Sequence, residues 1–385
     1  MTDIVSLHTA EYREAPGVVA SAPGVANLMG SHTEATDGLI LLFGMNRRAT
    51  VAVSRRTDSS FRFYAPDFKE RKRTSLSAMR FKSEDKFANL PKGVVSRLQT
   101  LGAHVVGANI TIVSDIPPGI GLASSQAISS ALAFALATLY GFEMDPTLAA
   151  QVAHHAEQTF SGKTVGLSTF LVSSLSRPDE IMLIDSHKLD WSYLPFDLNG
   201  HNLFGIHTHA PSPLTNEDTE RRYDDCRLCL RMLRGVRPGC GVRDLSAHEL
   251  HASLGKMPES ARRHCLHVVA ENERVLQVAE ALKRNDLRRV GKLLIESHES
   301  LRDLYEVSTP EVDWLVKHAQ EIRGVYGARL SGGNKSSCTL AIATVEAVNL
   351  IQERLHDYER IFGFHPDLVP CRPDEGVRID SQGDR

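Results

Sequence analysis

The sequence predicts a two-domain α/β (α+β) protein in which strand-like segments alternate with amphipathic helices. Two observations lead to this prediction. The chain has 385 residues, 42% of them hydrophobic, which is enough to bury the cores of two domains. A succession of strands and helices also occupies the first half of the chain and begins again after about residue 200. We therefore expect an N-terminal domain over residues 1–190 and a C-terminal domain over residues 191–385.

Apolar and β-branched residues dominate the first half. The runs LILLFGMNRRATVAVSRR and FRFYA, within residues 39–65, predict strands joined by a turn. A further strand is predicted over residues 105–116, and EIMLID predicts the last strand of this half. A helix is predicted in ISSALAFALATLY, after Ala127, because its apolar residues recur every three or four positions: Ile128, Leu132, Leu136 and Leu139. A second helix is expected to begin at Asp145 and Pro146, a favourable N-cap and first-turn pair.

The second half repeats this alternation. HNLFGIHTHA predicts a strand, and RRYDDCRLCLRML predicts an amphipathic helix. A longer helix follows in RHCLHVVAENERVLQVAEALKR, where His264 and His267 are expected to lie off the apolar stripe. Another helix is expected to start at Thr309 and Pro310. GARLSGGNKSSCTLAIA predicts two strands joined by a glycine turn, and the tail after Pro373 is polar and is expected to carry little core.

Composition excludes several classes of protein. There are 44 basic and 47 acidic residues, a formal net charge of −3, so no nucleic-acid partner is expected. The chain contains no run of about 18 apolar residues, so no transmembrane helix is expected. The first residues lack the basic and apolar regions of a secretory signal. We therefore expect no membrane partner and a cytoplasmic location.

Cysteine usage also favours the cytoplasm. Six cysteines are scattered through the chain, a pattern that fits reduced thiols better than a disulfide framework. Cys226 and Cys229 form a C-x-x-C pair. They are either metal ligands or two small apolar residues on one helical face, and no second pair follows at metal-site spacing.

A glycine-broken turn, PPGIGLASSQA, occupies residues 117–127. Gly119 and Gly121 permit positive φ and a close approach of the backbone to a ligand. The following helix would direct its free amides and its positive dipole end at the turn, where Ser124 and Ser125 add hydroxyls for phosphate or Mg²⁺. The alternative is an ordinary helix start after a Pro-Gly turn. The local residues do not decide between the two, and neither a Walker A loop nor a Rossmann fingerprint is present.

The wider sequence resembles the galactokinase family of the GHMP kinases. DIPPGIGLASSQAIS is similar to the family motif D-x-P-x-G-x-G-L-S-S-S-A, and APGVANLMGSHTEATDGLIL (22–41) is similar to its first motif. Residues 297–316 and 327–338 resemble the third-motif region, and 157–170 resembles the stretch that ends G-I-M-D-Q. The resemblance implies a two-domain GHMP-kinase fold with the nucleotide and sugar cleft between the domains.

The resemblance also implies ATP and Mg²⁺ as cofactors. Mg²⁺ would be held by Ser125, or its neighbour Ser124, together with Glu157. The third motif adds Gly332, Gly333 and Lys335, and Lys335 either brings positive charge to ATP or is a surface lysine. The residues matched to the ATP loop are Pro118, Gly119, Gly121, Leu122, Ala123, Ser124 and Ser125.

The catalytic positions of the family are replaced in this chain. The family's catalytic Asp corresponds to Thr169, and its partner Arg corresponds to Val25. Threonine is not a general base near neutral pH, and loss of such a base typically costs about 10²–10⁴-fold in rate. Valine places an apolar group where a cation would organise the site.

The sugar contacts are altered as well. The family's Glu, His and Asp correspond to Ser31, His32 and Glu34, and its sugar-contacting Tyr corresponds to Thr219. Substrate binding by family residues would therefore rest on His32, Glu34 and the backbone at Gly166.

These changes lead to three functional hypotheses. The first is a galactokinase-like protein that binds ATP and Mg²⁺ but is defective in galactose phosphorylation, and acts as a sensor or regulator (a pseudokinase) through domain closure. The second is an active kinase that phosphorylates a hydroxyl of another sugar or small alcohol. The third is an interaction protein with an empty cleft. The sequence identifies no protein partner and no oligomeric state.

Overall fold

Two sheets and ten helices make up the part of the chain that the computed structural model describes, which is residues 3–161, 165–212, 214–236, 241–245, 257–332 and 338–383. The helices are α1 (Ile4–Tyr12), α2 (Asn89–Thr100), α3 (Ser124–Tyr140), α4 (Pro146–Ser161), α5 (Ser168–Leu175), α6 (Asn216–Val236), α7 (Glu259–Lys283), α8 (Leu287–Asp303), α9 (Pro310–Gln320) and α10 (Val345–Phe362). The strands are β1 (Val18–Met29), β2 (Leu39–Arg55), β3 (Ser60–Ala65), β4 (Glu70–Ser75), β5 (Ala108–Ser114), β6 (Glu180–Asp185), β7 (Asp190–Pro195), β8 (Asn202–His207), β9 (Val325–Ser331), β10 (Cys338–Ala343), β11 (Asp367–Cys371) and β12 (Arg378–Gln382).

Short-range signals set many of the helix ends. Asp145 accepts a hydrogen bond from the Leu148 amide at 2.8 Å and caps α4, and Pro146 is the first residue of that helix. Pro310 likewise begins α9. Gly141 ends α3 with φ +67°, a conformation that glycine adopts without strain. The predicted starts of α4 and α9 are therefore confirmed.

The first sheet is organised around β2. This 17-residue strand pairs with β1, β5 and β6, and the path through the sheet runs β12-β1-β2-β5-β3-β4, with β7 added beside β6. The pairings are antiparallel except that of β3 with β5. Helices α2, α3 and α4 pack on one face of the sheet, whereas α1 covers the other through Ile4, which contacts Val19 and Ala52.

The second sheet has the strand order β11-β8-β10-β9 and is antiparallel throughout. One face packs on a core shared with α6, α7, α9 and α10. The opposite face contributes Leu203, Leu340 and Ile342 to the core of the first sheet. The two sheets therefore share one continuous apolar core, which fixes their relative position. Within the described residues, every helix is too short or too polar to cross a membrane.

One sequence prediction about the second half is wrong. His264 and His267 are buried, at 4% and 0% exposure, because α6, α8 and the first-motif loop pack around α7.

The polar tail carries little core, as predicted, because no apolar side chain of its described residues after Pro373 is fully buried. It nevertheless forms β12, a strand that the sequence did not predict, which pairs antiparallel with β1, for example Val18 opposite Gln382, and closes the edge of the first sheet. A backbone ladder needs no apolar side chains, so hydropathy gave no signal for this strand.

The expectation of reduced cysteines is also wrong for one pair. Cys229 in α6 forms a disulfide with Cys265 in α7, 36 residues later. Cys229 is therefore not available as a metal ligand, and Cys226 is a buried free thiol. The C-x-x-C spacing suggested that Cys229 acts together with Cys226, whereas its disulfide partner, Cys265, lies on the neighbouring helix.

The disulfide is expected to stabilise the packing of α6 against α7. Closing a loop of this length is worth about 2–4 kcal/mol. A Cys229→Ala/Cys265→Ala variant should therefore unfold at a lower temperature than the wild type in calorimetry. Dithiothreitol should lower the wild-type midpoint and leave that of the variant unchanged. An equal response of both proteins to the reductant would contradict the assignment.

Candidate functional site

The glycine loop joins β5 to α3 in a conformation that glycine favours. Gly119 and Gly121 have φ of +78° and +79°. Ala123, at the N-cap of α3, is also left-handed, with φ +58°, and its side chain makes no capping hydrogen bond. The first-turn amides of a 17-residue helix therefore have no side-chain cap at this position, and an anion bound there would satisfy them.

The loop forms one side of a cavity of about 710 Å³. Aromatic and apolar side chains also line it, and two of them, Phe68 and Phe81, are 57% and 54% exposed. A cavity lined by apolar side chains and by a loop with free helix amides suits a ligand with a flat apolar group and an anionic group. The structure places these predicted residues along the cavity: Pro118, Gly119, Gly121, Leu122, Ala123, Ser124, Ser125 and Glu157.

Ser125 and Glu157 form a pair of hard oxygen ligands at the start of α3. The Ser125 hydroxyl donates to Glu157 Oε1 at 3.1 Å, and Glu157 is 1% exposed. Mg²⁺ prefers a small number of carboxylate and hydroxyl oxygens together with phosphate oxygens and water. The residues present therefore fit a Mg²⁺ ion held between α3, α4 and a phosphate on the loop.

Val25 lies directly beneath the glycine loop. Its backbone N–H donates to Leu122 O at 3.0 Å, and its side chain is 2% exposed in an apolar cluster with Leu42 and Val172, against which Ala123 packs. Thr169 lies one helical turn before Val172 in α5. Its hydroxyl is buried and has no hydrogen-bond partner among the described residues. The two replaced positions are therefore connected through α5, with no charge on either side chain.

Glu34 holds the N-terminus of α5 in place. Its Oε1 accepts from the Ser168 backbone amide at 3.0 Å and from the Ser168 hydroxyl at 2.6 Å. Gly166 passes so close that a Cβ there would lie 1.9 Å from Glu34 Cδ. A side chain at residue 166 would have to displace the Glu34 carboxylate, which positions the helix that carries Thr169.

Tyr223 lies in α6, a helix that contacts the turn at Glu34–Thr36, and sequence reasoning did not single it out. It lies one turn after Thr219, on the same face of the helix. The Thr219 hydroxyl donates to Thr215 O at 3.2 Å. Burial, and secondarily the charge of Glu34, raises the pKa of Tyr223 to about 12, so this phenol stays protonated. The i+4 spacing could have revealed it.

His32 has a left-handed backbone, with φ +65°, and its ring stacks on Tyr305 at 4.4 Å. Burial, helped by the neighbouring His267 and Arg329, holds the pKa of His32 well below its ordinary value. Burial also lowers the pKa of His267 to about 4. Both imidazoles are therefore neutral at physiological pH.

A buried ion pair fixes the backbone of the first motif. Glu271 Oε1 accepts from the amides of Gly30 at 3.1 Å and Ser31 at 3.3 Å, and Arg329 Nη1 lies 3.4 Å from the same oxygen. Arg329 also donates to Leu28 O at 3.1 Å and to Ser31 Oγ. Both side chains are fully buried. This guanidinium is committed to the loop and does not replace the cation missing at Val25.

Other predicted positions are only partly described. Gly332 follows β9 with φ +95°, whereas Gly333 and Lys335 lie outside the described residues. A cation that the sequence analysis did not single out, Lys86, lines the cavity and forms an ion pair with Glu70 at 3.3 Å.

The Glu271→Gln variant tests the role of the buried ion pair. Removing one partner of such a pair costs about 3–5 kcal/mol, and chemical denaturation should show a loss of that size. Glu273→Gln, an exposed position on the same helix, should have almost no effect.

The same pair should make stability depend on pH. Burial opposes the charge on Glu271, but Arg274 and Arg329 outweigh it and hold the pKa well below 4.5, its ordinary value. Its stabilisation is therefore fully present above about pH 5 and is lost as the pH falls through the folded-state pKa. The difference in free energy of unfolding between wild type and Glu271→Gln should become smaller at acidic pH. A gap that widens would contradict the assignment.

Comparisons with known proteins agree with this geometry. Models for the GHMP kinases N terminal domain, the GHMP kinases C terminal region and the galactokinase galactose-binding signature match residues 89–174, 278–360 and 6–55. A galactokinase of Roseiflexus sp. (strain RS-1) is 34% identical over 364 residues, which cover 94% of this chain and 93% of the relative. A galactokinase of Glaesserella parasuis serovar 5 (strain SH0165) is 32% identical, with 93% and 94% covered.

Solved structures show the same fold. Lactococcus lactis galactokinase complexed with galactose superposes with a TM-score of 0.91 at 23% identity, covering 97% of this chain and 98% of that one. Methanococcus jannaschii mevalonate kinase gives a TM-score of 0.66 at 17% identity, with 93% and 98% covered. The predicted fold class is thereby confirmed.

Proposed function

This chain belongs to the galactokinase family of the GHMP kinases, and we propose that it binds ATP with Mg²⁺ but is defective in phosphorylating galactose, acting as a pseudokinase or regulator. One observation carries this proposal. The glycine loop, which leads into a helix without a side-chain cap, lies directly over an apolar cluster that contains Val25, beside the helix that carries Thr169.

The nucleotide half of the proposal rests on the cavity. Its exposed aromatic residues, Phe68 and Phe81, offer a stacking surface for a base, and the glycine loop offers amides for the phosphates. Ser125 and Glu157 would hold Mg²⁺, which neutralises the phosphate charge when bound.

The proposed defect in phosphoryl transfer follows from the loss of charge and of positioning. Phosphoryl transfer requires little covalent work from the protein, so a site loses rate chiefly by losing charge stabilisation and alignment. Val25 supplies no cation, and the Thr169 hydroxyl does not take up a proton at neutral pH. The missing base alone accounts for about 10²–10⁴-fold in rate.

The side chains at the positions expected to contact the sugar acceptor are already engaged in contacts within the protein. Glu34 caps α5 through Ser168, and Ser31 binds Arg329. His32 stacks on Tyr305 as a neutral ring. A galactose hydroxyl would have to compete with these internal partners, which weakens its orientation further.

Nucleotide binding is tested by calorimetry with a non-hydrolysable ATP analogue and Mg²⁺. Ser125→Ala and Glu157→Gln should weaken Mg²⁺-dependent binding at least about tenfold, because each removes one hard ligand. The control is Thr138→Ala, at the far end of α3, where the Thr138 hydroxyl donates a hydrogen bond to Phe134 O at 2.9 Å. This variant should bind the nucleotide like the wild type. An absence of nucleotide binding by the wild type would reject the proposal and favour the interaction protein.

Catalysis is tested with labelled ATP and galactose, with the Roseiflexus galactokinase as the positive control. Because base and cation are both missing, the rate of galactose 1-phosphate formation should be at least about 100-fold below that of the control. The Val25→Arg/Thr169→Asp variant should recover part of the rate, whereas Val25→Arg alone should not, because it buries an unpaired charge. A wild-type rate close to the control would show an ordinary galactokinase, which the relatives' names favour.

A second candidate is an active kinase for another alcohol. The buried Thr169 hydroxyl has no partner among the described residues, and the protonated Tyr223 lies in the helix that contacts the turn at Glu34–Thr36. A less polar acceptor could use these groups. A screen of sugars, polyols and hydroxy acids for ADP release distinguishes the two functions, since a pseudokinase releases ADP at the same low rate with every acceptor, whereas an active kinase responds to its own.

A further inference from the structure

Two histidines and an aspartate meet on the second sheet, among residues that the proposed function does not use. His207 ends β8, and His209 follows two residues later. Asp367, the first residue of β11, lies directly opposite His207 in the antiparallel register. None of these three residues is among the described residues that line the nucleotide cavity.

The potential ligand atoms of the three side chains converge. One ring nitrogen from each histidine and one carboxylate oxygen all lie within 4.8 Å of one another. The two imidazole rings have centroids 3.8 Å apart, and His209 Nε2 lies 2.7 Å from Asp367 Oδ2. Nitrogen and oxygen ligands of Zn²⁺ lie about 2.0–2.2 Å from the metal, so a small closure of these side chains would complete the coordination.

The backbone between the histidines is fixed from the opposite side. Thr208 is fully buried, its carbonyl accepts from the Tyr358 hydroxyl at 3.0 Å, and its Oγ1 accepts from the Ala210 amide at 3.2 Å. With residue 208 anchored in the core, the histidines on either side have little backbone freedom. The site is therefore preorganised, which reduces the entropic cost of binding.

We propose that His207, His209 and Asp367 form a binding site for one divalent transition-metal ion of the Zn²⁺ type, with water as the fourth ligand. Two imidazoles and one carboxylate suit Zn²⁺, whereas Mg²⁺ requires an octahedral set of oxygens. The site is distinct from the Ser125–Glu157 pair and does not depend on nucleotide binding.

The test is calorimetric titration of the chelator-treated full-length protein with ZnCl₂, in the presence of excess Mg²⁺ and without nucleotide. We expect one Zn²⁺ per chain and a higher melting temperature with Zn²⁺. His209→Ala and Asp367→Asn should each weaken binding at least about tenfold, since even outer-sphere changes cost 10–100-fold.

His365→Ala is the matched control. His365 is an exposed histidine with a carboxylate neighbour, Glu359, at 3.0 Å, but it belongs to no three-residue cluster among the described residues. It should bind Zn²⁺ like the wild type. Melting curves without metal establish that each variant is folded. Equal Zn²⁺ affinity in His209→Ala and wild type, or no saturable binding by the wild type, overturns the proposal.

Discussion

The buried ion pair of Glu271 and Arg329 is the interaction on which the rest of the site depends. It joins α7 and β9 to the end of β1, and the Ser297 hydroxyl of α8 donates to the same carboxylate at 2.9 Å. Fully buried charges are tolerated only when each is paired and hydrogen-bonded, so the four elements must meet in this arrangement. Because Ser31, His32 and Glu34 of the first motif lie at or directly after this junction, the position of that loop follows from it.

A second constraint passes from that loop to α5. Glu34 follows the loop segment held by Glu271 and binds the N-terminus of α5, and α5 carries Thr169 and packs Val172 against Val25. A carboxylate at the N-terminus of a helix is favoured by the helix dipole as well as by its hydrogen bonds. In this chain Glu34 therefore has a structural role at the start of α5.

Local signals were sufficient for much of the fold. The glycine turn, the starts of α4 and α9 and the apolar period of α3 each depend on residues a few positions apart, so sequence reasoning found them. The ion pair was beyond its reach, because Glu271 and Arg329 are 58 positions apart and Glu271 also binds the Gly30 amide across 241 positions. The Cys229–Cys265 bond and the β12 pairing were missed for the same reason. Each depends on which helices or strands become neighbours, and the sequence around each residue does not specify that.

The distribution of charge in the cleft has a common physical basis. Where the protein retains buried charge, as at Glu271 and Arg329, both partners are present and hydrogen-bonded. Beneath the glycine loop, Val25 and Thr169 are both uncharged. A carboxylate at 169 alone would face an apolar cluster, and a guanidinium at 25 alone would enter one, and either change would leave an uncompensated charge. Two uncharged residues avoid that cost, so they are compatible with a well-packed core beneath the glycine loop.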